Sequence, residues 1–223
     1  MTKESFITYE GVHFSEEEML ERSRTFFNFM NKRRSVRDFS DRPVDLEIIE
    51  NAIRTANTAP SGAHKQPWTY CIISDPEVKK EIREKAEVEE LESYNNRMSE
   101  EWLEAIAHLG TDHQKPFLEI APYLVIIFKK VYDKDSDGEK QTNYYVSESV
   151  GISAGMFISA IHESGLAALT HTPSPMNFLS QILKRPANER PFLLIPVGHP
   201  AENAQIPDLK RKDLDEIAVY YTR

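Results

Sequence analysis

The sequence predicts an α+β fold, a sheet covered by helices, on two observations. Four apolar, β-rich runs, at residues 68–74, 122–131, 166–170 and 192–197, alternate along the chain with segments of helical period. With 40% hydrophobic residues in 223, the chain also carries enough apolar side chain for a real core. No repeat, low-complexity tract or linker divides it, so residues 1–223 are expected to form one domain.

Each element has its own signal. Ser15-Glu16-Glu17-Glu18 is a capping-box pattern, and Met19, Phe26, Phe27 and Met30 continue it at helical spacing over 15–32. Pro43 and Asp45 open a second helix with Leu46, Ile49, Ile53 and Ala56 on one stripe. A loop from Pro60 to Pro67 leads into the first strand, residues 68–74. Asp75-Pro76 begins a long, charge-laden helical stretch to about Leu109. Residues 122–131 form the second strong strand, and 133–140 a polar loop. The helix over 144–163 is apolar around most of its girth, which demands burial on several sides. Its small residues, Ser153, Ala154, Gly155, Ser159 and Ala160, let another helix approach, and a subunit interface accounts for that much burial. Gly165 stands at the C′ position. A strand at 166–170, a short helix after Pro175, a strand at 192–197 and a tail with alternating apolar residues follow. That alternation suggests a strand or arm added to a partner's sheet.

Charge and composition exclude several classes. A formal net charge of −9 would repel nucleic acid and an anionic membrane surface. Cys71, the sole cysteine, lies in an apolar run and is expected to fill core space. The N-terminus shows no apolar signal segment, and the longest apolar stretch, 123–128, is too short to span a bilayer. A soluble, cytoplasmic protein is the expectation. His108 and His113 fall on different helix faces and no H-E-x-x-H occurs, so no metal is expected. Gly151-Ile-Ser-Ala-Gly155 matches the G-x-S-x-G of hydrolases, but it sits within a helical period, without the strand and sharp turn that motif needs.

Two stretches carry the chemistry. Arg33, Arg34, Ser35 and Arg37 place three guanidiniums and a hydroxyl within five residues, and guanidinium forks match phosphate oxygens in pairs. Taken alone, they also fit a solvated helix end favoured by the dipole. Residues 58–68, with Pro60, Ser61, Gly62 and Ala63, form a loop of small residues whose backbone can approach a flat ligand. Glu90 and Tyr94 are neighbours on one helix face, with Lys115 further on. A carboxylate, a phenol and an ammonium suit a zwitterionic amino acid, although so charged a stretch also fits a solvated helix. Lys210-Arg211-Lys212 by itself is a solvated charge run, and Thr172 a turn hydroxyl before Pro173.

RRSVRDF, TAPSGAHKQPW, EELESYNNRM (89–98), LTHTP (169–173), LIPVGHP (194–200) and PDLKRKDLDEI (207–217) resemble the nitroreductase family of FMN enzymes, and within it the iodotyrosine deiodinase branch. The resemblance covers roughly residues 20–220. It implies a central, mostly antiparallel sheet flanked by helices and an intertwined homodimer with FMN at the interface. It places Arg33, Arg34, Ser35, Arg37 and Arg211 at the FMN phosphate, and Pro60, Ser61 and Gly62 against the flavin ring. Thr170, His171 and Thr172 fall along the flavin edge, with the Thr172 hydroxyl at N5, favouring one-electron steps. Glu90, Tyr94 and Lys115 become an amino-acid clamp, with the Ala63 N–H on the substrate phenolate. A lid over roughly 86–116 and a C-terminal arm over roughly 200–223 reaching the partner are implied too. The activity so implied is reductive dehalogenation of halotyrosines, with an unidentified reductase or NAD(P)H as electron source. A general nitroreductase or quinone reductase, or a non-catalytic aromatic amino-acid binding module, are the alternatives.

Overall fold

The structure, a computed structural model, describes residues 6–222, which fall into two units dividing between Arg33 and Arg34. The first holds α1 (Glu16–Asn31). Its capping box is complete: Glu18 N–H donates to Ser15 Oγ at 3.2 Å, and Ser15 N–H to Glu18 Oε2 at 2.9 Å. Within the same unit Arg22 lies over the Phe14 ring, 4.1 Å from its centroid.

The second unit is built on a four-stranded sheet. β1 (Trp68–Ile73), β2 (Tyr123–Lys130), β5 (Ala167–Ala168) and β6 (Glu189–Gly198) run in the order β1-β2-β6-β5, every neighbour antiparallel. Successive side chains of a strand face opposite ways. Leu124, Ile126 and Phe128 of β2 therefore meet one apolar layer and Val125 and Ile127 the other. The first layer comes from α3 (Pro76–Glu92), α5 (Phe117–Ile120) and α7 (Asn177–Ile182), through Ile82, Ala86, Phe117, Leu118, Phe178 and Leu179. The second comes from α2 (Leu46–Ala56) and α6 (Val146–Glu163), through Ile49, Ala52, Ala56, Val150, Ala154, Phe157 and Ile161. Covering both faces explains why β2 reads as an unbroken apolar run instead of an alternating one.

α6 stays in register on this layer through Ser153, buried at its centre. Its Oγ donates to Ala56 O at 3.0 Å and pairs with Tyr70 OH at 2.7 Å. The helix ends as expected: Gly165, at φ 77°, donates to His162 O and Leu166 N–H to Ile161 O, both orphan carbonyls of the last turn. Gly151, Ile152 and Gly155 stand exposed, so within one chain the helix is covered on one side only.

Two segments differ from their sequence signals. The helical stretch 76–109 is broken into α3, a π-type turn (Ser93–Arg97) closed by Met98 N–H to Ser93 O, and α4 (Glu100–Ala107). Ser99 accepts from Trp102 N–H and so caps a fresh helix there. The polar loop at 133–140 belongs to a hairpin, β3 (Tyr132–Lys134) and β4 (Lys140–Thr142). Asp135 Oδ1 tightens it by accepting from Asp137 and Glu139 N–H. After α8 (Leu214–Ile217) the tail joins no strand among the described residues of this chain. Among those residues no helix is long and apolar enough to cross a membrane. Because Phe157 is fully buried between α6 and the sheet, Phe157→Ala should lower unfolding free energy by about 3–5 kcal/mol in urea titration.

Candidate active site

Residues 34–40 are held against the end of the chain. Ser35 bridges Ala168 of β5, and Phe39 bridges Pro200. Ser40 N–H donates to His199 O at 2.9 Å, and Ala201 N–H to Asp38 O at 2.8 Å. Arg34 Nη2 donates to Pro207 O across 173 residues of sequence. Arg34, Ser35 and Arg37 are half-buried along this seam, and Arg211 follows Pro207 by four residues, exposed. Arg33 is the last residue of the first unit, its N–H bonded to Met30 O.

The small-residue loop is conformationally demanding. Ala63, His64 and Gln66 have φ of 49°, 53° and 47°, left-handed values that cost a non-glycine residue about 1–3 kcal/mol each. The surroundings over-determine them: Ser61 Oγ accepts from Gln66 N–H at 2.9 Å, and Ser149 Oγ from Gly62 N–H at 3.3 Å. A Cβ at Gly62 would lie 2.7 Å from Tyr144 O, so only glycine fits. Strain held in this way is characteristic of ligand-binding loops. Pro60 and Ala63 are exposed at its surface, with Ser61 and Gly62 half-buried.

The 170–172 segment splits its side chains. His171 pairs with Leu194 of β6 through both backbone groups, at 2.9 and 3.0 Å. Extended backbone then sends Thr170 and Thr172 outward and His171 inward, with the imidazole edge-on to Phe117 at 5.7 Å.

Inward, His171 reaches the charged cluster. Glu90, on α3, stands 3.6 Å from Lys115 Nζ through Oε2 and 3.9 Å from His171 Nε2 through Oε1. Their side chains are 12%, 3% and 10% exposed, so a carboxylate and an ammonium are buried together. Lys115 is fastened at both ends. Glu87, one turn before Glu90, accepts its backbone N–H at 2.7 Å, while Asp112 O and Thr111 Oγ1 accept from Nζ. Tyr94 lies in the π-type turn, its OH donating to Thr111 O at 3.2 Å and its ring 5.8 Å from Lys115 Nζ. Burial raises the Glu90 carboxyl and lowers the Lys115 ammonium, each partly offset by the other's charge. Burial, with the charges of Lys115 and Arg37, pushes His171 down to about 3, leaving its imidazole neutral.

The structure thus gathers Glu90, Tyr94, Lys115 and His171, with the Arg37 charge acting on the last three. Thr111, Asp112 and Glu87 escaped sequence reading. Their only signal was a turn-forming Thr-Asp before Lys115 and a carboxylate three residues before Glu90. Among the described residues no group of side chains could hold a metal ion.

Residues 30–199 match the Nitroreductase family. The chain belongs to that family. Its relatives include the iodotyrosine deiodinase of Haliscomenobacter hydrossis, 60% identical over 219 residues, 98% of this chain and 99% of that protein. Iodotyrosine deiodinase 1 of Homo sapiens is 44% identical over 214 residues, 96% of this chain and 74% of that protein. A crystal structure of oxidized iodotyrosine deiodinase bound to FMN and 3-iodo-L-tyrosine superposes with a TM-score of 0.75 at 30% identity, covering 89% of this chain and 100% of that one. A putative NADH dehydrogenase/NAD(P)H nitroreductase from Bacteroides thetaiotaomicron shares the fold, with a TM-score of 0.62 at 20% identity over 87% of this chain and 96% of that one.

Burial of a neutral His171 in this nitroreductase-family site has a measurable consequence. Between its ordinary value of 6.5 and its folded value of about 3, the unfolded chain holds the extra proton, so stability falls as pH falls. In denaturant titrations, wild type should lose stability relative to His171→Gln by roughly 1.4 kcal/mol per pH unit below pH 6.5. Parallel curves would mean that the imidazole titrates as it does in water.

Proposed function

We propose that this chain is an FMN-dependent oxidoreductase that removes halide from halotyrosines, converting iodotyrosine to tyrosine and iodide. One observation carries the reading: Glu90, Tyr94 and Lys115, an acid, a phenol and an ammonium, share one buried patch. Similarity to iodotyrosine deiodinases over nearly the whole chain supports it.

The residues present fit FMN. Arg34, Ser35 and Arg37 offer two guanidiniums and a hydroxyl on one braced segment, with Arg211 shortly beyond its Pro207 contact. These are donors for a single phosphate. The strained loop at 60–63 offers a close backbone surface for a flat ring, and the outward Thr170 and Thr172 offer hydroxyls for its edge. FMN, when bound and reduced, supplies the electrons that exchange a carbon–halogen bond for a carbon–hydrogen bond.

The chain's own residues bind and aim the substrate. Glu90 takes its ammonium, and Lys115 and Tyr94 its carboxylate. A zwitterion brings one charge of each sign, so the existing Glu90–Lys115 pair opens into two pairs without leaving a charge alone. The Ala63 N–H, which has no acceptor among the described residues, holds the phenolate oxygen. The Thr172 hydroxyl donates at the flavin edge. Residues 86–116 act as a lid that keeps water from the reacting carbon. The exposed Gly151, Ile152 and Gly155 of α6 provide a homodimer face, and residues 200–223 an arm toward the partner. A separate reductase or NAD(P)H regenerates reduced flavin.

The test is iodide release from 3-iodo-L-tyrosine by FMN-loaded protein with dithionite as donor. Glu90→Gln and Lys115→Ala should each raise KM roughly 10- to 100-fold, the loss of a charge-assisted contact, with FMN still bound. Unchanged KM in both would remove the clamp, and no iodide from wild type would remove the activity.

A further inference from the structure

We propose that His171 is a positioning residue for Glu90, its Nε2–H taking up Oε1 when Lys115 turns to the carboxylate of a bound amino acid. This rests on the amino-acid clamp described above and adds to it the group that keeps the clamp's carboxylate aimed.

His171 Nε2 is wholly shielded from solvent and has no hydrogen-bond partner. An orphaned buried nitrogen costs about 1–3 kcal/mol, and native structures hold few without a reason. Its backbone is tied to Leu194 on both sides and its imidazole meets Phe117 edge-on, contacts that hold the ring facing the cluster. The polar groups facing it are Glu90, Lys115 and, through their charge, Arg37. At 3.9 Å, Glu90 Oε1 is about 1 Å beyond the usual hydrogen-bond length, while Oε2 is drawn toward Lys115. Releasing Lys115 to a substrate carboxylate frees Glu90 to close that gap.

The imidazole suits the role because two cations already stand near it. Burial first, and then the charges of Lys115 and Arg37, disfavour its protonation, so it donates one hydrogen bond and adds no charge. A lysine or arginine there would cancel the carboxylate that must meet the substrate ammonium. Thr170 and Thr172 flank His171 on the outward side, so the segment proposed to line the flavin also steadies the far end of the substrate.

The experiment is a double-mutant cycle on the FMN-loaded protein, with the dissociation constant of L-3-iodotyrosine read by flavin fluorescence. Glu90→Gln and His171→Ala should each weaken binding about tenfold or more, and together little more than Glu90→Gln alone, because His171 acts through Glu90. His171→Gln, whose amide N–H replaces the donor, should recover most of the loss. Losses that add in full, or a His171→Ala variant that binds like wild type, would overturn the proposal. Failure of Gln to restore binding where Ala lost it would overturn it too. If Glu90→Gln alone leaves binding unchanged, it is the clamp that has failed, and the His171 assignment falls with it.

Discussion

Lys115 and Glu90 face each other away from water, and the architecture around them is arranged to hold that pair. Withdrawing an ammonium and a carboxylate from solvent costs several kcal/mol per ion, and their attraction seldom returns more than that. Well-packed apolar side chains of the same volume would stabilise the fold as well or better. The pair is therefore a weak source of stability, which suits the binding role proposed for it. Glu87, Thr111 and Asp112 fix the lysine, and α3 carries Glu90 to it. Arg83, bonded to Glu87 and Glu119, ties α3 to α5 and holds Glu87 in place. What results is a buried ion pair, a carboxylate at one end and an ammonium at the other.

The sheet brings the other half of the site to the same region. β6 spans ten residues, from Glu189 to Gly198, and pairs with β2 on one side and with β5 on the other. The 170–172 segment continues beside it through His171, and residues 34–40 lie beside β5 and the 199–207 segment. Guanidiniums from the start of the unit and backbone from its end are thereby laced together. Arg37 belongs to the seam, and its charge acts on Tyr94, Lys115 and His171. The seam proposed to hold a phosphate and the patch proposed to hold an amino acid are thus electrostatically connected through one side chain.

Much of this was legible in the residues. The capping box at Ser15, the Gly165 terminus and the apolar run of β2 obey local rules, and each formed as its sequence predicts. Glu90, Tyr94 and Lys115, read from the sequence as candidate site residues, lie close together. The break after Glu92 was hidden because Glu and Lys crowd 76–109, and α3 buries only a narrow stripe of Ile82 and Ala86. Lys79 lies beside them, its ammonium buried and donating to Glu119 O and Ala121 O at the end of α5. That partnership depends on residues forty positions away. The inward turn of His171 was equally hidden, since it follows from backbone pairing with Leu194 and from no local pattern. The left-handed Ala63 and His64 defy propensity altogether, being imposed by the contacts of Gly62 and Ser61.

The central claim, a zwitterion held beside a flavin, has one direct measurement. Purified protein loaded with FMN is titrated with L-3-iodotyrosine while the visible flavin absorption is followed. Saturable perturbation of the flavin band by iodotyrosine, with none from free iodide, is the result this account predicts. A flavin spectrum unmoved up to millimolar iodotyrosine, or a protein that retains no FMN at all, would contradict it.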